Sequence, residues 1–497
     1  MNISRRLMIG GTAGVGLAVA GTLPGALPAA AEPHDRGRNR NPGSTGRPFP
    51  PLEDDPNEIL ALPTGFSYRI VTRAGVSALD DQKGKTPGAH DGTHVFRAGR
   101  NRLRLIQNHE LAANASEFGV PHIRGTVYDP GAVNGGGCTV IETDLDARHQ
   151  GEWVGISGTA VNCAGGHTPW GSWLTCEETE IKAGATWTAN GKSGTYEKDH
   201  GYVFEVFPDE SARQLPKPIK AFGRYAHEAL AVSPDRTRVY LSEDASGPTG
   251  LFYRWTAPSG VKLGPGIANK LGPKAGKLEA MQILLDDGTV LPDVAYVTAA
   301  QLGRPFKVSW KDVPDRDGQT VSVRKQFTDG EVTRGKKFEG VFGTNQGAYI
   351  VNSYAFAPAD LPADAVKHDG LVWFYDYADQ NIRLVAYFPH QSTAETGAKP
   401  RFNDMVFDGP DNVTATPWGT LVLAEDGAGA SHVLSTVPGG PTYAIARNQL
   451  NIGTEAEPEY SEFTGPTFSP DGKILFVNIQ TPGITLAITG PWGRYLG

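Results

Sequence analysis

Cysteine is scarce, with three in 497 residues. So sparse a set cannot be a disulfide scaffold, which is short and Cys-dense, and an odd number leaves at least one thiol unpaired within the chain. Excess positive charge is also missing. Lys and Arg number 46 against 54 Asp and Glu, a formal net charge of −8, so the chain has no general attraction for nucleic acid or an anionic membrane, and cations are its expected guests. Beyond the N-terminal segment no run reaches the ~18 apolar residues of a membrane span, so no stable membrane anchor is expected. Sustained helical periodicity is absent as well. What the chain has instead is turns. The 62 Gly and 37 Pro are about a fifth of the residues, and 9% aromatics make the chain too aromatic for disorder. From about Leu60 onward, turn signals alternate with short β-branched and aromatic runs. The length allows two to four domains, or one large all-β body of repeated modules.

Met1–Ala31 reads as a targeting segment. It has paired Arg5 and Arg6, a small-residue apolar stretch over Gly10–Gly21, and Ala29-Ala30-Ala31 as a cleavage site. Ser4-Arg5-Arg6-Leu7-Met8 resembles the twin-arginine signature, which sends an already folded chain to the twin-arginine export machinery. An exported protein, periplasmic or extracellular, is the expectation. Folding before export suits a protein that acquires a chosen metal in the cytoplasm. Residues 32–58 hold Pro, Gly, Asn and charge with almost nothing to bury, and read as a flexible leader. Residues 59–497 are expected to form a single domain.

That domain carries a repeat made of a Pro/Gly turn, a strand of about five residues, and acids where the strand ends. It appears as Thr168-Pro169-Trp170-Gly171 leading to Glu177-Glu178, as Ser233-Pro234-Asp235 leading to Glu243-Asp244, and as Thr416-Pro417-Trp418-Gly419 leading to Glu425-Asp426. Ser469-Pro470-Asp471-Gly472 leads to Asn478, and Leu103–Glu110 is a copy without the proline. The prolines are 65, 183 and 53 residues apart. A period of roughly 50–65 gives six or seven units, the range of β-propeller blades. Equivalent positions of propeller blades face one central axis, so Glu110, Glu177, Glu178, Glu243, Asp244, Glu425 and Asp426 are expected to form a carboxylate ring. Ionised carboxylates cannot share a low-dielectric site without cations, and hard oxygen donors suit Ca2+.

Cys176 precedes Glu177-Glu178: standing alone it would read as a buried small hydrophobe, but a thiolate among carboxylates needs a metal to hold it, iron or zinc in preference to calcium. Cys138 and Cys163 could pair outside the cytoplasm, leaving Cys176 free, but their spacing does not show it. His109-Glu110 and His227-Glu228 begin like a zinc-protease motif but lack its second His. The calcium-like run ending at Gly318 puts Val313 at the first EF-hand ligand position. No Walker A loop and no Gly-x-Ser-x-Gly elbow occur.

The twin-arginine leader combines with Asn108-His109-Glu110, the run Asn162-Cys163-Ala164-Gly165-Gly166 through Thr175-Cys176-Glu177-Glu178, and Gly223-Arg224-Tyr225-Ala226-His227-Glu228. To these are added Phe338-Glu339-Gly340, Glu425-Asp426-Gly427 and a tail from Phe468 to Gln480. Together they resemble the PhoX family of bacterial alkaline phosphatases, the DUF839 group, over about residues 100–483. The resemblance implies a six-bladed β-propeller, all-β, with an axial metal site of iron (Fe3+) and calcium (Ca2+), hydrolysing small phosphomonoester substrates. On it, Cys176 is the thiolate on iron, and Glu178, Glu228 and Glu339 hold the cluster. Glu110, Asp244 and Glu425 are further ligands, and Arg224 and Lys337 grip phosphate. Two positions depart from the family pattern: Lys337 stands where Arg is common, and Thr481 where His is frequent. A monomer is expected. The readings from other chemistries are a calcium-dependent lactone hydrolase, for which a soft ligand has no use, and a non-catalytic calcium-stabilised propeller.

Overall fold

The computed structural model describes residues 46–80, 84–113, 118–189, 191–209, 214–353, 367–390, 403–427 and 429–497. The export signal read over 1–31 and residues 32–45 of the leader lie outside them. Residues 46–58, read as the rest of that leader, are mostly exposed but tied to the body at a few points. Phe49 stacks on Tyr495 with ring centroids 4.9 Å apart, and Leu52–Glu53 pairs with Leu60–Pro63. The apolar residues Phe49 and Leu52, set among prolines, are enough to tie the segment down where a complementary surface exists.

The described chain is all-β and propeller-like, with one four-residue α-helix, Trp492–Tyr495, and a few single 3-10 turns. A first four-stranded sheet runs through His90–Ala98, Arg102–His109, Gly136–Thr143 and His149–Thr159 in chain order. A second holds Asn162–His167, Trp173–Glu177 and Val203–Val206. A ten-stranded sheet then starts with His227–Val232, Arg238–Glu243, Gly250–Thr256 and Lys277–Leu284. Through the strand Pro305–Asp312 it reaches Asn381–Pro389, His368–Asp376, Gly347–Asn352 and Phe338–Gly343, and Arg334–Gly335 pairs with Gly250–Thr256 off this path. The next sheet runs Pro410–Ala415, Leu421–Glu425, His432–Thr436 and Thr442–Asn448, with Leu60–Pro63 and Leu52–Glu53 beyond it. The last holds Phe463–Phe468, Ile474–Ile479 and Ile484–Thr489, and is completed by Ser67–Arg73 from the other end of the chain. Pairing the two ends in one sheet closes the ring and removes a free edge.

Six strands lie innermost: His90–Ala98, Asn162–His167, His227–Val232, Phe338–Gly343, Pro410–Ala415 and Phe463–Phe468. Each packs on the next, and the last packs on the first. Sheets stacked face to face bury both sides of their middle strands. Leu421–Glu425 and Ile474–Ile479 are therefore buried throughout, and they read as continuous apolar runs without alternation.

The repeat is the hairpin between the first and second strand of a sheet. Gly171 N donates to Thr168 O and Gly419 N to Thr416 O, both at 3.1 Å. The hydroxyls of Thr168 and Ser172 meet at 2.9 Å and those of Thr416 and Thr420 at 2.8 Å. Ser233 and Ser469 hydroxyls donate to Asp235 and Asp471 at 2.6 and 2.7 Å. The glycines close these turns because φ is +82° at Gly171 and +90° at Gly419, a left-handed conformation costly to other residues.

Candidate metal centre

All six innermost strands break register near their start: between His90 and Thr93, Asn162 and Gly165, His227 and Leu230, Phe338 and Val341, Pro410 and Val413, and Thr464 and Thr467. A bulge inserts a residue and re-aims its side chain. The residues entering the bulges are Asp91, Cys163, Glu228, Glu339, Asp411 and Gly465, each followed by Gly, Ala, Asn or Pro. The small followers are needed because the strands nearly touch. A Cβ on Gly92 would meet Ala164 Cα at 2.7 Å, and one on Gly340 would meet Asp411 O at 2.6 Å.

The side chains of the first five meet Glu110, Glu178 and Asp426, which directly follow second strands, and Glu462, which directly precedes Phe463–Phe468. Donor atoms within 4.8 Å of one another form four groups: Asp91, Glu110 and Cys163; Cys163, Glu178 and Glu228; Glu228, Glu339 and Asp411; and Asp411, Asp426 and Glu462. Shared members join the groups into one chain of eight carboxylates and a thiol. Cys163 Sγ lies 3.1 Å from Glu228 Oε1 and 3.5 Å from Asp91 Oδ2. Gln480 Nε2 donates to Glu110 Oε2 at 2.6 Å. Lys337 sets its ammonium 2.8 Å from Glu339 Oε1 and 3.5 Å from Asp426 Oδ2. It is buried and held at φ +51°, a sparsely populated backbone conformation for Lys. Burial, and then the carboxylates of Asp91, Glu228, Glu110 and Glu178, push the Cys163 thiol well above its ordinary range. Such a donor set fits hard cations with one softer, thiolate-binding ion. One ammonium cannot neutralise eight carboxylates, and a thiol so placed ionises only onto a metal.

The acid pairs that end the second strands divide between two faces, because successive strand residues point opposite ways. Glu178 and Asp426 join the donor groups, whereas Glu177, Glu243 and Glu425 turn away and hold buried cations. His200 Nδ1 lies 2.6 Å from Glu177 Oε1 and its Nε2 3.1 Å from Asp129 Oδ2. Arg324 Nη1 donates to Glu243 at 3.0 Å and to Glu180 at 2.7 Å. His432 lies 3.0 Å from both Glu425 and Asp404. The structure thus brings Glu110, Glu178, Glu228 and Glu339 together with Lys337, and leaves Glu425 and Asp244 outside the donor groups.

Two further placements differ from the sequence expectation. Cys176 lies in an apolar cluster with Leu174, Val203, Tyr225 and Leu241, outside every donor group, and the thiol among the acids is that of Cys163. All three cysteines are free and buried, so Cys138 and Cys163 form no disulfide. Arg224 is engaged by main chain, its guanidinium donating to the carbonyls of Asp317, Gly318, Glu180 and His200 at 2.8–3.4 Å. Arg224→Lys is therefore expected to lower the melting temperature while leaving KM for a phosphoester within about twofold of wild type, since a buried network acts on stability. A tenfold rise in KM would return Arg224 to the phosphate.

Sequence reasoning missed Asp91, Asp411 and Glu462 as donors, and treated Cys163 only as a disulfide partner. An acid or Cys followed by a small residue at the head of a strand, as in Asp91-Gly92, Cys163-Ala164, Glu228-Ala229 and Glu339-Gly340, is the signal that finds four of the bulges.

Burial opposes a charge on His200, but Glu177 and then Asp129 outweigh it and raise its pKa to about 9. Glu425 and Asp404 do the same for His432. A histidine whose folded pKa exceeds its unfolded value of 6.5 stabilises the fold fully below pH 6.5, and that contribution is lost as pH rises to 9. Unfolding free energy from urea titrations is expected to fall by about 3 kcal/mol per histidine across this window. The His200→Gln variant should show a shallower decline.

A profile of the alkaline phosphatase PhoX family matches residues 47–152 and 142–483. The chain belongs to that family, a class of phosphomonoester hydrolases. The solved structure of Pseudomonas fluorescens PhoX in complex with vanadate, a transition state analogue, is similar over 90% of this chain and 98% of its own. It is 19% identical with a TM-score of 0.60, a likeness of fold. The holo PQQ domain of a pyranose dehydrogenase from Coprinopsis cinerea aligns with 89% of this chain and 98% of its own at 10% identity and a TM-score of 0.36. A search of curated proteins matched none. Among the described residues no helix is long and apolar enough to cross a membrane.

Proposed function

We propose that this chain is a metal-dependent alkaline phosphatase that hydrolyses small phosphomonoesters at the axis of a six-bladed propeller. The ten-stranded sheet is taken as two blades bridged by Pro305–Asp312, and six bulged inner strands support that count. The observation that carries the reading is the convergence of eight carboxylates and the Cys163 thiol on one axis. Cys163 with Glu178 and Glu228 suits iron, and the all-oxygen groups through Glu339, Asp411, Asp426 and Glu462 suit calcium. Bound cations supply positive charge to the phosphoryl oxygens in transfer and acidify water.

The chain's own residues do the rest. Cys163 gives up its proton on metal loading, so uptake strengthens as pH rises. Glu228, shared by two groups, spaces them. Lys337, tethered to Glu339 and Asp426, presents an ammonium to a phosphoryl oxygen as a point charge, without the two-pronged contact that Arg makes. The leader supports export through the twin-arginine machinery to the periplasm or beyond, and the chain acts as a monomer.

The test is release of p-nitrophenol from p-nitrophenyl phosphate at alkaline pH, in calcium and then in excess chelator. Turnover that the chelator removes and calcium restores is expected. Unchanged rates in excess chelator would overturn the exchangeable calcium.

A further inference from the structure

Two residues before each position that directly follows a second strand stand residues 108, 176, 242, 351, 424 and 478, on the same strand face. Three of these are polar, and each reaches across to the neighbouring innermost strand in the ring. Asn108 Nδ2 donates to the carbonyls of Cys163 at 2.9 Å and Ala164 at 2.7 Å. Asn478 Nδ2 donates to the carbonyl of Asp91 at 2.8 Å and to Thr93 Oγ1 at 3.0 Å. Ser242 Oγ donates to the carbonyl of Glu339 at 2.6 Å and accepts from Ala229 N at 3.0 Å. The carbonyls so held belong to Cys163, Asp91 and Glu339, the donor residues themselves.

A bulge takes a carbonyl out of the sheet ladder, and a buried carbonyl must find another donor. Whichever side chain supplies it also fixes the peptide plane, and with it the direction of the neighbouring Cα–Cβ bond. Asn108 is fully buried with all four hydrogen-bonding positions used. Its Oδ1 accepts from Trp173 Nε1 at 3.0 Å and from Cys138 Sγ at 3.1 Å, which sets the way its amide faces. We propose that Asn108, Ser242 and Asn478 are positioning residues for the metal donors Cys163, Glu339 and Asp91, each latching the donor-bearing bulge of the neighbouring innermost strand. The inference rests on the reading of the axis as a metal centre.

The test uses Co2+ alone, added to metal-stripped full-length protein. A thiolate on Co2+ absorbs in the near ultraviolet by charge transfer, so the band reports the Cys163 bond separately from total binding. Wild type should show the band. Asn108→Leu should weaken Co2+ binding by about 10–100-fold, the range seen when outer-shell partners of metal ligands are lost, and should lower the band per bound ion. Ser242→Ala, which removes one oxygen, should weaken binding in the same range but keep the band per bound ion.

A folded Asn108→Leu with the wild-type isotherm and full band overturns the proposal, as does a Ser242→Ala isotherm that superimposes on wild type. Should Asn108→Leu not fold, Ser242→Ala decides. Equal loss of band in both variants, together with lower melting temperatures of the metal-stripped proteins, would show a merely structural role and also overturn it. If wild type binds Co2+ without the band, the metal-centre reading of Cys163 itself fails, and the latch falls with it.

Discussion

Cys163→Ser is expected to lose the thiolate-bound metal and at least about a hundredfold in kcat/KM, whereas Cys176→Ser keeps both. Both cysteines are buried beside acids, so sequence position alone does not separate them. Position in the sheet does. Cys163 enters a bulge and lies among Asp91, Glu110, Glu178 and Glu228. Cys176 lies on a regular stretch of Trp173–Glu177, packed against Tyr225 and Leu241. Serine at 163 replaces a soft anionic donor with a hard, neutral one, and losing even an outer-shell partner costs about 10–100-fold. Serine at 176 puts a hydroxyl into an apolar cluster, a stability cost of roughly 1–3 kcal/mol that leaves the site in place. Metal analysis of the two purified variants beside their turnover is the check. Loss of metal from Cys176→Ser with retention in Cys163→Ser would reverse the assignment.

Glu228→Gln is expected to have an effect of opposite sign on the loaded and metal-stripped protein. Glu228 belongs to two donor groups at once, so an amide there weakens two cation sites together, and activity should fall by about 10³-fold or more, beyond the range of outer-shell losses. The metal-stripped protein, however, is relieved of one carboxylate in a crowd of eight, and like charges in a buried site destabilise the fold. Its melting temperature should therefore be equal to or above that of stripped wild type. The loaded variant should melt lower than loaded wild type, because a ligand stabilises in proportion to how far its concentration exceeds its dissociation constant. Melting curves with and without added metal test this. A stripped Glu228→Gln that melts well below stripped wild type would mean that the carboxylate is structural.

Much of the fold was legible because the hairpin repeat is a local feature. Thr168-Pro169-Trp170-Gly171 and Thr416-Pro417-Trp418-Gly419 encode one turn by its own chemistry, a hydroxyl pair and a left-handed glycine. Wherever that chemistry recurs, the same two strands follow. The hairpin between Phe338–Gly343 and Gly347–Asn352 lacks the proline and was not found in the repeat. Of the donors, Glu110, Glu178 and Asp426 were within reach of the repeat, and Glu228 and Glu339 of the family motifs. Cys163, Asp91 and Asp411 were not, because their direction depends on a register break that composition does not announce, and Glu462, ahead of Phe463–Phe468, stands outside the repeat.

An all-β chain of repeated hairpins, acids clustered at strand ends and a family membership carried by long specific runs are all written in the order of residues. Which member of the pairs Glu177-Glu178 and Glu425-Asp426 joins the donor groups, and which meets a buried cation, follows from the packed strands alone. Glu177 and Glu178 are chemically alike and adjacent. One residue of strand pleat sends the first to His200 and the second to Cys163 and Glu228. The same geometry exchanged the two cysteines and took Arg224 out of the site. A side chain's chemistry is written in the residue, but its direction is set by the bulges and ladders of strands that lie far apart in the chain.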